Sequence, residues 1–261
     1  MPTTRIVRAA PGGRLLLLLL AAHLRAVAPA AAQDAAVIPR ASSPIVLDGR
    51  VDEAAWSEVP PLPLVMFAPE YGGRPTERTE IRVVHDGEYL YAAARFFDSS
   101  PRDIRANGLV RDDAAEDDFF NLVLDTFRDG ENAVWFLVTP TGNRVDGAIT
   151  GNAEGTAWNH FEYDSFWDAA ANIDGHGWSA EMRIPFTSLR FERSPAGDVD
   201  MGLIAGRFIA RRSERHVFPD LRPGPAVAQY KPSLGAPVRL EGVEAHAPLY
   251  VRPYLLAGLD R

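Results

Sequence analysis

The stretch TEIRVVHDGEYLYAAARFFD, residues 79–98, decides the fold class of this chain. Apolar Ile81 and Val83 alternate with polar residues, the Asp86-Gly87 pair follows, and a second apolar run occupies residues 89–97. Alternation is typical of a β-strand with one buried face, and Asp-Gly accepts the positive φ angles of a tight hairpin turn. The stretch therefore predicts two antiparallel strands joined at residues 86–87.

Two further hairpins are predicted downstream. NLVLDTF (121–127) and AVWFLVT (133–139) flank a polar turn, while FWDAAANI (166–173) and GWSAEMRIPF (177–186) flank a Gly-rich one. DMGLIAGRFIARR (200–212) predicts a long strand whose glycines indicate a bulge or close packing. Spaced hairpins of this kind favour an all-β fold, an antiparallel, jelly-roll-like β-sandwich with short helical turns.

The remaining segments are assigned by their breaker residues and apolar spacing. Short helical turns are expected at residues 51–56 and 186–189. Residues 212–237 are rich in Pro, Gly and Arg, so we expect a long surface loop or a boundary there. Trp56, Trp167 and Trp178 are expected in the core, since Trp167 and Trp178 share an alternating face with small or apolar neighbours.

The first 32 residues have the pattern of a secretory signal peptide. Arg5, Arg8 and Arg14 precede the apolar run of residues 15–22, and small residues ending in APAAAQ follow. The run is shorter than the ~20 residues that a membrane-spanning helix needs. We expect cleavage near Ala32, with an uncleaved anchor as the alternative, and an exported protein in the periplasm or outer membrane of a Gram-negative bacterium.

Charge and composition exclude several classes of function. Loss of the four arginines of the signal peptide would change the net charge from −8 to −12. An acidic chain is a poor partner for nucleic acid or for anionic lipid, which both require a basic face. The chain has no cysteine, which excludes thiol catalysis, thiolate metal sites and iron–sulfur clusters.

Four motifs occur in a fixed order: LDGRVDEAAW (47–56), YLYAAARFFD (89–98), DDFFNLVLDTF (117–127) and GWSAEMRIPFTSLRF (177–191). This order resembles the family 9 carbohydrate-binding modules over residues 44–240. It is most similar to the version at the N-terminus of bacterial proteins that continue as an outer-membrane β-barrel. The resemblance implies a β-sandwich that binds sugars without cleaving them.

Residues 245–261, which include APLYVRPYLLAGLDR, predict a strand without a partner. The resemblance implies that this segment is the start of a truncated C-terminal barrel region. The alternative is that it packs back onto the sandwich.

Trp158 is the aromatic residue best placed to stack on a sugar ring. It follows the Gly-rich segment TGNAEGTA (150–157) and lacks periodic apolar neighbours. A flat aromatic face meets the C–H side of a sugar ring, while planar polar groups bind its hydroxyls. We therefore predict a ligand-binding site formed by Trp158, Asn159, Trp135 and Arg144. The corresponding loops of sugar-binding family members supply two facing tryptophans, whereas residues 98–118 and 213–233 contain none.

The acidic segment RDDAAEDD (111–118) is a candidate calcium site. Calcium takes several oxygen ligands from one loop, and Asp112, Asp113 and Asp118 are the predicted ligands. The alternative is a solvated acidic loop. No other cofactor is predicted, and the histidines lack zinc-ligand spacing.

Three functions remain open from the sequence. The first is a non-catalytic carbohydrate-binding domain, with an oligo- or polysaccharide partner, in glycan recognition or carbohydrate catabolism at the outer membrane. The second is a docking domain for the barrel of the same longer protein, with no sugar ligand. The third is a hydrolase acting on O-glycosyl bonds, or its accessory domain, for which no catalytic residue is predicted.

Overall fold

Thirteen β-strands in two sheets form the part of the chain that the computed structural model describes, residues 35–114 and 116–244. The predicted signal peptide (1–32) and the predicted barrel segment (245–261) lie outside these residues. The strands are β1 (Ala36–Ile38), β2 (Val65–Ala68), β3 (Thr79–His85), β4 (Tyr89–Phe97), β5 (Phe119–Asp125), β6 (Ala133–Val138), β7 (Arg144–Ile149), β8 (Asn159–His160), β9 (Asp168–Asp174), β10 (Gly177–Pro185), β11 (Val199–Ile209), β12 (Glu214–Phe218) and β13 (Ala236–Leu240).

The larger sheet has the order β1-β13-β11-β5-β6-β7-β8, with β12 and β2 attached beside β11, and the smaller sheet has the order β3-β4-β10-β9. All pairs are antiparallel except β1 with β13. The three predicted hairpins are β3–β4, β5–β6 and β9–β10. At the first turn Gly87 has the positive φ angle, +104°, that the Asp-Gly pair predicts. The predicted antiparallel β-sandwich is therefore confirmed.

Helical structure is brief in the described residues. The one α-helix of the described residues is α1 (Ala54–Ser57), which overlaps the predicted turn at residues 51–56, and a 3₁₀ turn lies within the second predicted region, residues 186–189. The 3₁₀ turns are Pro101–Asp103, Gly151–Ala153, Phe186–Ser188, Ala210–Arg212, Ala226–Tyr230 and Pro232–Leu234. No helix in the described part of the chain has both the length and the apolar character required to cross a membrane.

The main core fills the space between the two sheets. Trp178 of β10 is fully buried and stacks on Phe96 of β4, with ring centroids 4.1 Å apart. Trp167 is also buried and meets Phe136 of β6 edge-on at 5.1 Å. Each large apolar side chain buried in this way contributes about 1.5–3 kcal/mol. The prediction that both tryptophans lie in the core is confirmed.

A second apolar cluster covers the outer face of the larger sheet. Val123 and Ile204 project outward from β5 and β11, and Ala228 and Tyr230 of a 3₁₀ turn pack over them. The expectation of a simple surface loop at residues 212–237 is therefore wrong. Strand β12 forms within this segment, and the rest of it lies over apolar residues because the larger sheet is apolar on both faces.

Residues 45–57, here called the strap, cover the outer face of the smaller sheet. Trp56 is buried there against Val84 and Tyr91. The carboxylate of Glu181 on β10, itself 1 % exposed, accepts hydrogen bonds from Trp56 Nε1 at 3.1 Å and from the backbone N–H groups of residues 48 and 49 at 3.1 and 3.0 Å. Burial raises the pKa of Glu181 to about 7.

The raised pKa makes the stability of the domain depend on pH through Glu181. The folded state holds the proton more tightly than the unfolded chain, whose ordinary value is 4.5. The contribution of Glu181 to stability is therefore complete below about pH 4.5 and is lost as the pH rises through about 7. Glu181→Gln should remove this component, so the variant should lose less stability between pH 5 and pH 8 than the wild type.

Urea unfolding followed by tryptophan fluorescence at pH 5 and pH 8 measures the difference. Every other titrating group is common to the two proteins, so only the contribution of Glu181 should distinguish their pH profiles. Parallel profiles for wild type and variant would contradict the assignment.

Candidate functional site

A cleft of about 880 Å³ opens at one end of the sandwich core, over the core-facing side of β6 and β7. Val134 and Ala148 pair directly across these strands and form part of its floor. Both lie on the side of the sheet that carries Phe136, because alternate residues of a strand share a face. Three separate segments form the walls: the β5–β6 turn, the loop of residues 161–167 and the turn after β10.

A buried carboxylate positions the loop of residues 161–167. Asp146 on β7 is 1 % exposed and accepts hydrogen bonds from the backbone N–H of Ser165 at 2.8 Å and from Trp167 Nε1 at 3.1 Å. Arg111 Nη2 donates to the same carboxylate at 2.8 Å and to Asp164 at 2.6 Å. Asp146 therefore positions the loop directly, and it also positions Arg111, which binds the exposed carboxylate of Asp164.

The wall after β10 is joined directly to this loop. Ser188 Oγ donates to the carbonyl oxygen of Phe166 at 2.7 Å, and Tyr163 Oη donates to the carbonyl oxygen of Ser188 at 3.3 Å. These bonds connect two segments that are distant in sequence. The aromatic side chains of the loop are thereby held beside the cleft.

The third wall is a turn built around Asp125. This buried carboxylate accepts hydrogen bonds from the backbone N–H groups of Asp129 at 3.2 Å and Gly130 at 2.8 Å. Burial raises the pKa of Asp125 above its ordinary value. Gly130 has a φ angle of +70°, a conformation that glycine adopts without strain. The turn places Phe127 at the edge of the cleft.

Two exposed phenylalanines lie on different walls of the cleft. Phe127 is 49 % exposed and Phe166 is 62 % exposed. Around them the cleft presents amide and hydroxyl groups of Asn132, Thr150 and Ser188. Exposed aromatic side chains next to hydrogen-bonding groups suit a ligand that has both C–H surfaces and hydroxyl groups.

Charged groups in the cleft are few. Asp164 and Arg190 are the only charged side chains among the described residues that line it. A glycosidase needs two carboxyl groups on either side of the bond that it cleaves. Asp164 is the one carboxylate among the described residues of the lining.

Three of the four residues predicted as a binding site lie together, but on the opposite, outer face of the larger sheet. Trp135 is 4 % exposed, and its Nε1 donates to Asn159 Oδ1 at 2.9 Å. Its ring lies against Gly147, where a Cβ atom would come within 2.6 Å of the indole nitrogen. Trp135 thus presents little of its ring to a ligand, and its role in binding stays a prediction.

Trp158 is half-buried in the same outer cluster. Its ring packs against that of Tyr230 with centroids 5.5 Å apart and planes inclined by 34°. The oxygen of the neighbouring Asn159 is taken by Trp135. The role of Trp158 as a stacking platform stays a prediction, and its packing against Tyr230 explains why an apparent loop tryptophan is partly covered.

Arg144 does not join this group. It lies at the other end of β7 from Ile149, the partner of Asn159, a separation of about 17 Å at the usual rise of a strand. Its guanidinium donates to the carbonyl oxygen of Trp167 and lies 3.5 Å from Asp168 Oδ1. The structure therefore does not bring Arg144 together with Trp135, Trp158 and Asn159.

The predicted calcium ligands are also separated. Asp112 is exposed and lies 3.6 Å from Arg111, whereas Asp118 is buried and accepts a hydrogen bond from the backbone N–H of Ala210 at 3.0 Å. Burial raises the pKa of Asp118. Across residues 35–114 and 116–244, no three His, Cys, Asp or Glu side chains are grouped so that they could hold a metal ion. The structure therefore does not support a site formed by Asp112, Asp113 and Asp118.

Phe127 and Phe166 are missed when only tryptophans are considered as stacking residues, although the sequence around each one indicates exposure. Phe166 directly precedes the core residue Trp167, so in an extended segment it must point away from the core. Phe127 follows the last residue of β5 and begins a turn. A large aromatic residue at an exposed position beside a turn is the pattern that identifies both.

Solved structures show what this architecture is similar to. A family 9 carbohydrate-binding module from Caldicellulosiruptor kristjanssonii, solved with cellotriose, has a TM-score of 0.52 and 17 % sequence identity, and the match covers 84 % of this chain and 99 % of the module. A family 9 module from the same organism, solved with glucose, has a TM-score of 0.54 and 16 % identity, with 80 % and 97 % of the two chains covered.

A provisionally assigned carbohydrate-binding protein from Bacteroides uniformis is similar as well, with a TM-score of 0.56, 13 % identity, and 79 % and 97 % of the two chains covered. No protein-family model and no curated protein sequence matches the chain. At these identities the likenesses show the fold, a family 9-like β-sandwich.

The hydrogen bonds of Asp146 predict a measurable loss of stability on substitution. Asp146→Asn should lower the free energy of unfolding by about 1–3 kcal/mol, because an amide nitrogen would face donors that now meet a carboxylate oxygen. Asp168→Asn is the matched control, since Asp168 is exposed and its ion pairs with Arg144 and Arg183 lie at the surface, where such pairs are worth about 0–1 kcal/mol. Equal losses in urea denaturation of the two variants would contradict the role given to Asp146.

Proposed function

We propose that this domain binds an oligo- or polysaccharide in the cleft between Phe127 and Phe166 and does not cleave it. The observation that carries the proposal is the pair of exposed aromatic rings on the cleft walls. The fold supports it, because the similar family 9 modules were solved with cellotriose and with glucose.

The physical requirements of sugar binding are present in the cleft. Its volume of about 880 Å³ is within the usual range of roughly 300–1,000 Å³ for ligand sites. An aromatic ring can cover the C–H face of a sugar, and this face loses little by leaving water. Asn132, Thr150 and Ser188 contribute polar side chains to the lining. These side chains already bond to Asp129, to His160 and to the carbonyl oxygen of Phe166, and amide and hydroxyl oxygens can accept a further hydrogen bond from a sugar hydroxyl. Such a site orients a ligand without reacting with it.

Removal of one aromatic wall tests the site. Phe166→Ala should weaken binding about 5- to 30-fold, the loss expected for a stacked contact worth about 1–2 kcal/mol. Isothermal titration with cello-oligosaccharides, and with the best binders from a glycan array, measures the effect. Phe161→Ala is the matched control, because Phe161 is also exposed (58 %) in the same loop but packs edge-on against Trp135 on the outer face.

The outcomes separate the possible sites. Loss of affinity in the Phe166 variant with little change in the Phe161 variant supports the cleft. The reverse result, or a loss caused by Trp158→Ala alone, would place the site on the outer face instead. Thermal unfolding of each variant shows that the fold is intact.

A docking domain without a sugar ligand is the second candidate function. The observation that favours it is the use of tryptophan, since four of the five tryptophans are buried and Trp158 packs against Tyr230. Family 9 sugar binding through two facing tryptophans therefore has no counterpart in the described residues. A blank glycan array with folded protein would favour this function over the first.

The proposal includes export and an outer-membrane barrel as partner in the same longer protein. Support comes from the signal-like residues 1–32 and from the likeness of residues 245–261 to a first barrel strand. Expressed in a Gram-negative host, the chain should be recovered from the periplasm with a new N-terminus near residue 33, as measured by mass spectrometry. Cytoplasmic protein that retains Met1 would contradict export.

A further inference from the structure

Arg190 is the only positively charged side chain among the described residues that line the cleft. It is exposed and makes no hydrogen bond or ion pair with another described residue. The one carboxylate of the lining, Asp164, is bound by Arg111 at 2.6 Å. The cleft therefore contains one cation that the protein itself does not neutralise.

The backbone at Arg190 is well anchored. Phe186 and Leu189 are buried in the main core, and the backbone N–H of Phe186 donates to the carbonyl oxygen of Glu88 at 2.9 Å. Residues 187 and 188 face the cleft on the same turn. The base of the Arg190 side chain is thus held at the cleft wall while its guanidinium is free in solvent.

The pocket on the other side of Phe127 has no net formal charge, since it is lined by three arginines and three carboxylates. Of these groups, Arg239 donates to Asp200 in a two-point contact at 2.7 and 2.9 Å. Within the cleft itself, the uncompensated positive charge among the described lining residues is that of Arg190.

We infer that the preferred ligand of the cleft is an acidic glycan, in which a sugar carries a carboxylate, and that Arg190 determines this specificity. The planar guanidinium matches a carboxylate in a two-point hydrogen bond, while Phe127 and Phe166 cover the ring. The net charge of the chain, −8, repels an acidic polymer. A preference for acidic over neutral glycans would therefore have to come from a local group such as Arg190. The inference rests on the proposed function.

The test compares sugars that differ only in the acid group. Neutral glucan, galactan and mannan oligomers are titrated into the full chain beside the same oligomers oxidised to uronates at C6. We expect at least one uronate to bind about tenfold or more tightly than its neutral counterpart, the effect of a charge-assisted hydrogen bond. The preference should weaken between 50 and 300 mM salt, since salt screens exposed charges.

Variants assign the preference to one side chain. Arg190→Gln should abolish the preference by lowering the affinity for uronates toward that for neutral oligomers, and Arg190→Lys should keep part of the preference. Arg102→Gln, which removes an exposed arginine outside the cleft, should change neither. Circular dichroism and thermal unfolding confirm that the variants fold.

The failures of the two proposals are distinguishable. Equal binding of neutral and acidic oligomers, unaffected by Arg190→Gln, overturns the inference and leaves the binding function intact. A preference for sulfated sugars over uronates overturns the assignment to a carboxylate. Absence of binding to every oligomer overturns both the proposed function and the inference.

Discussion

One buried carboxylate joins the strap to the smaller sheet. Glu181 receives three hydrogen bonds from the strap, and with them Trp56 is held over the outer face of the smaller sheet. Gly49 lies so close to the backbone of Ala171 that a Cβ atom would come within 2.7 Å of it. Without this contact the apolar outer face formed by Val84 and Tyr91 would be open to water, which is unfavourable in proportion to its area.

This interaction gives a physical meaning to the motif order seen in the sequence. LDGRVDEAAW supplies the N–H groups and the tryptophan, and GWSAEMRIPF supplies the carboxylate, although about 130 residues separate them. The two motifs are thus halves of one contact. A resemblance based on them indicates a shared scaffold, and it contains no information about which ligand the scaffold binds.

The fold could be predicted because its signals are local. Alternating apolar and polar residues predict the strands of each hairpin, and turn-forming residues such as Asp86-Gly87 predict where the strands are joined. The same rule fails for AVWFLV, which is apolar on both faces. Trp135 is buried because residues 226–230, Asn159 and Phe161 pack over it on the outer face. No spacing within the strand reveals that cover.

The cleft is harder to predict because it has no contiguous sequence. Its aromatic rings come from positions 127 and 166. Asp125 holds the turn that carries Phe127, while Asp146 and Ser188 hold the loop that carries Phe166. Buried carboxylates and exposed ones look alike in a sequence. The density of acidic residues at 111–118 predicts a calcium site, whereas the carboxylate that positions the cleft loop is Asp146, which has no acidic neighbour in its strand.

Cover on both faces of the larger sheet also limits how its sequence can diverge. All seven residues of β5 are buried, so outward-facing Asn121 and Val123 are as constrained as inward-facing Leu122. In an ordinary sandwich the solvent face of such a strand changes freely among homologues. Here that freedom is smaller in β5 than at exposed positions such as 127, 166 and 190. The rim of the cleft therefore tolerates substitutions that the close-packed centre of the larger sheet does not.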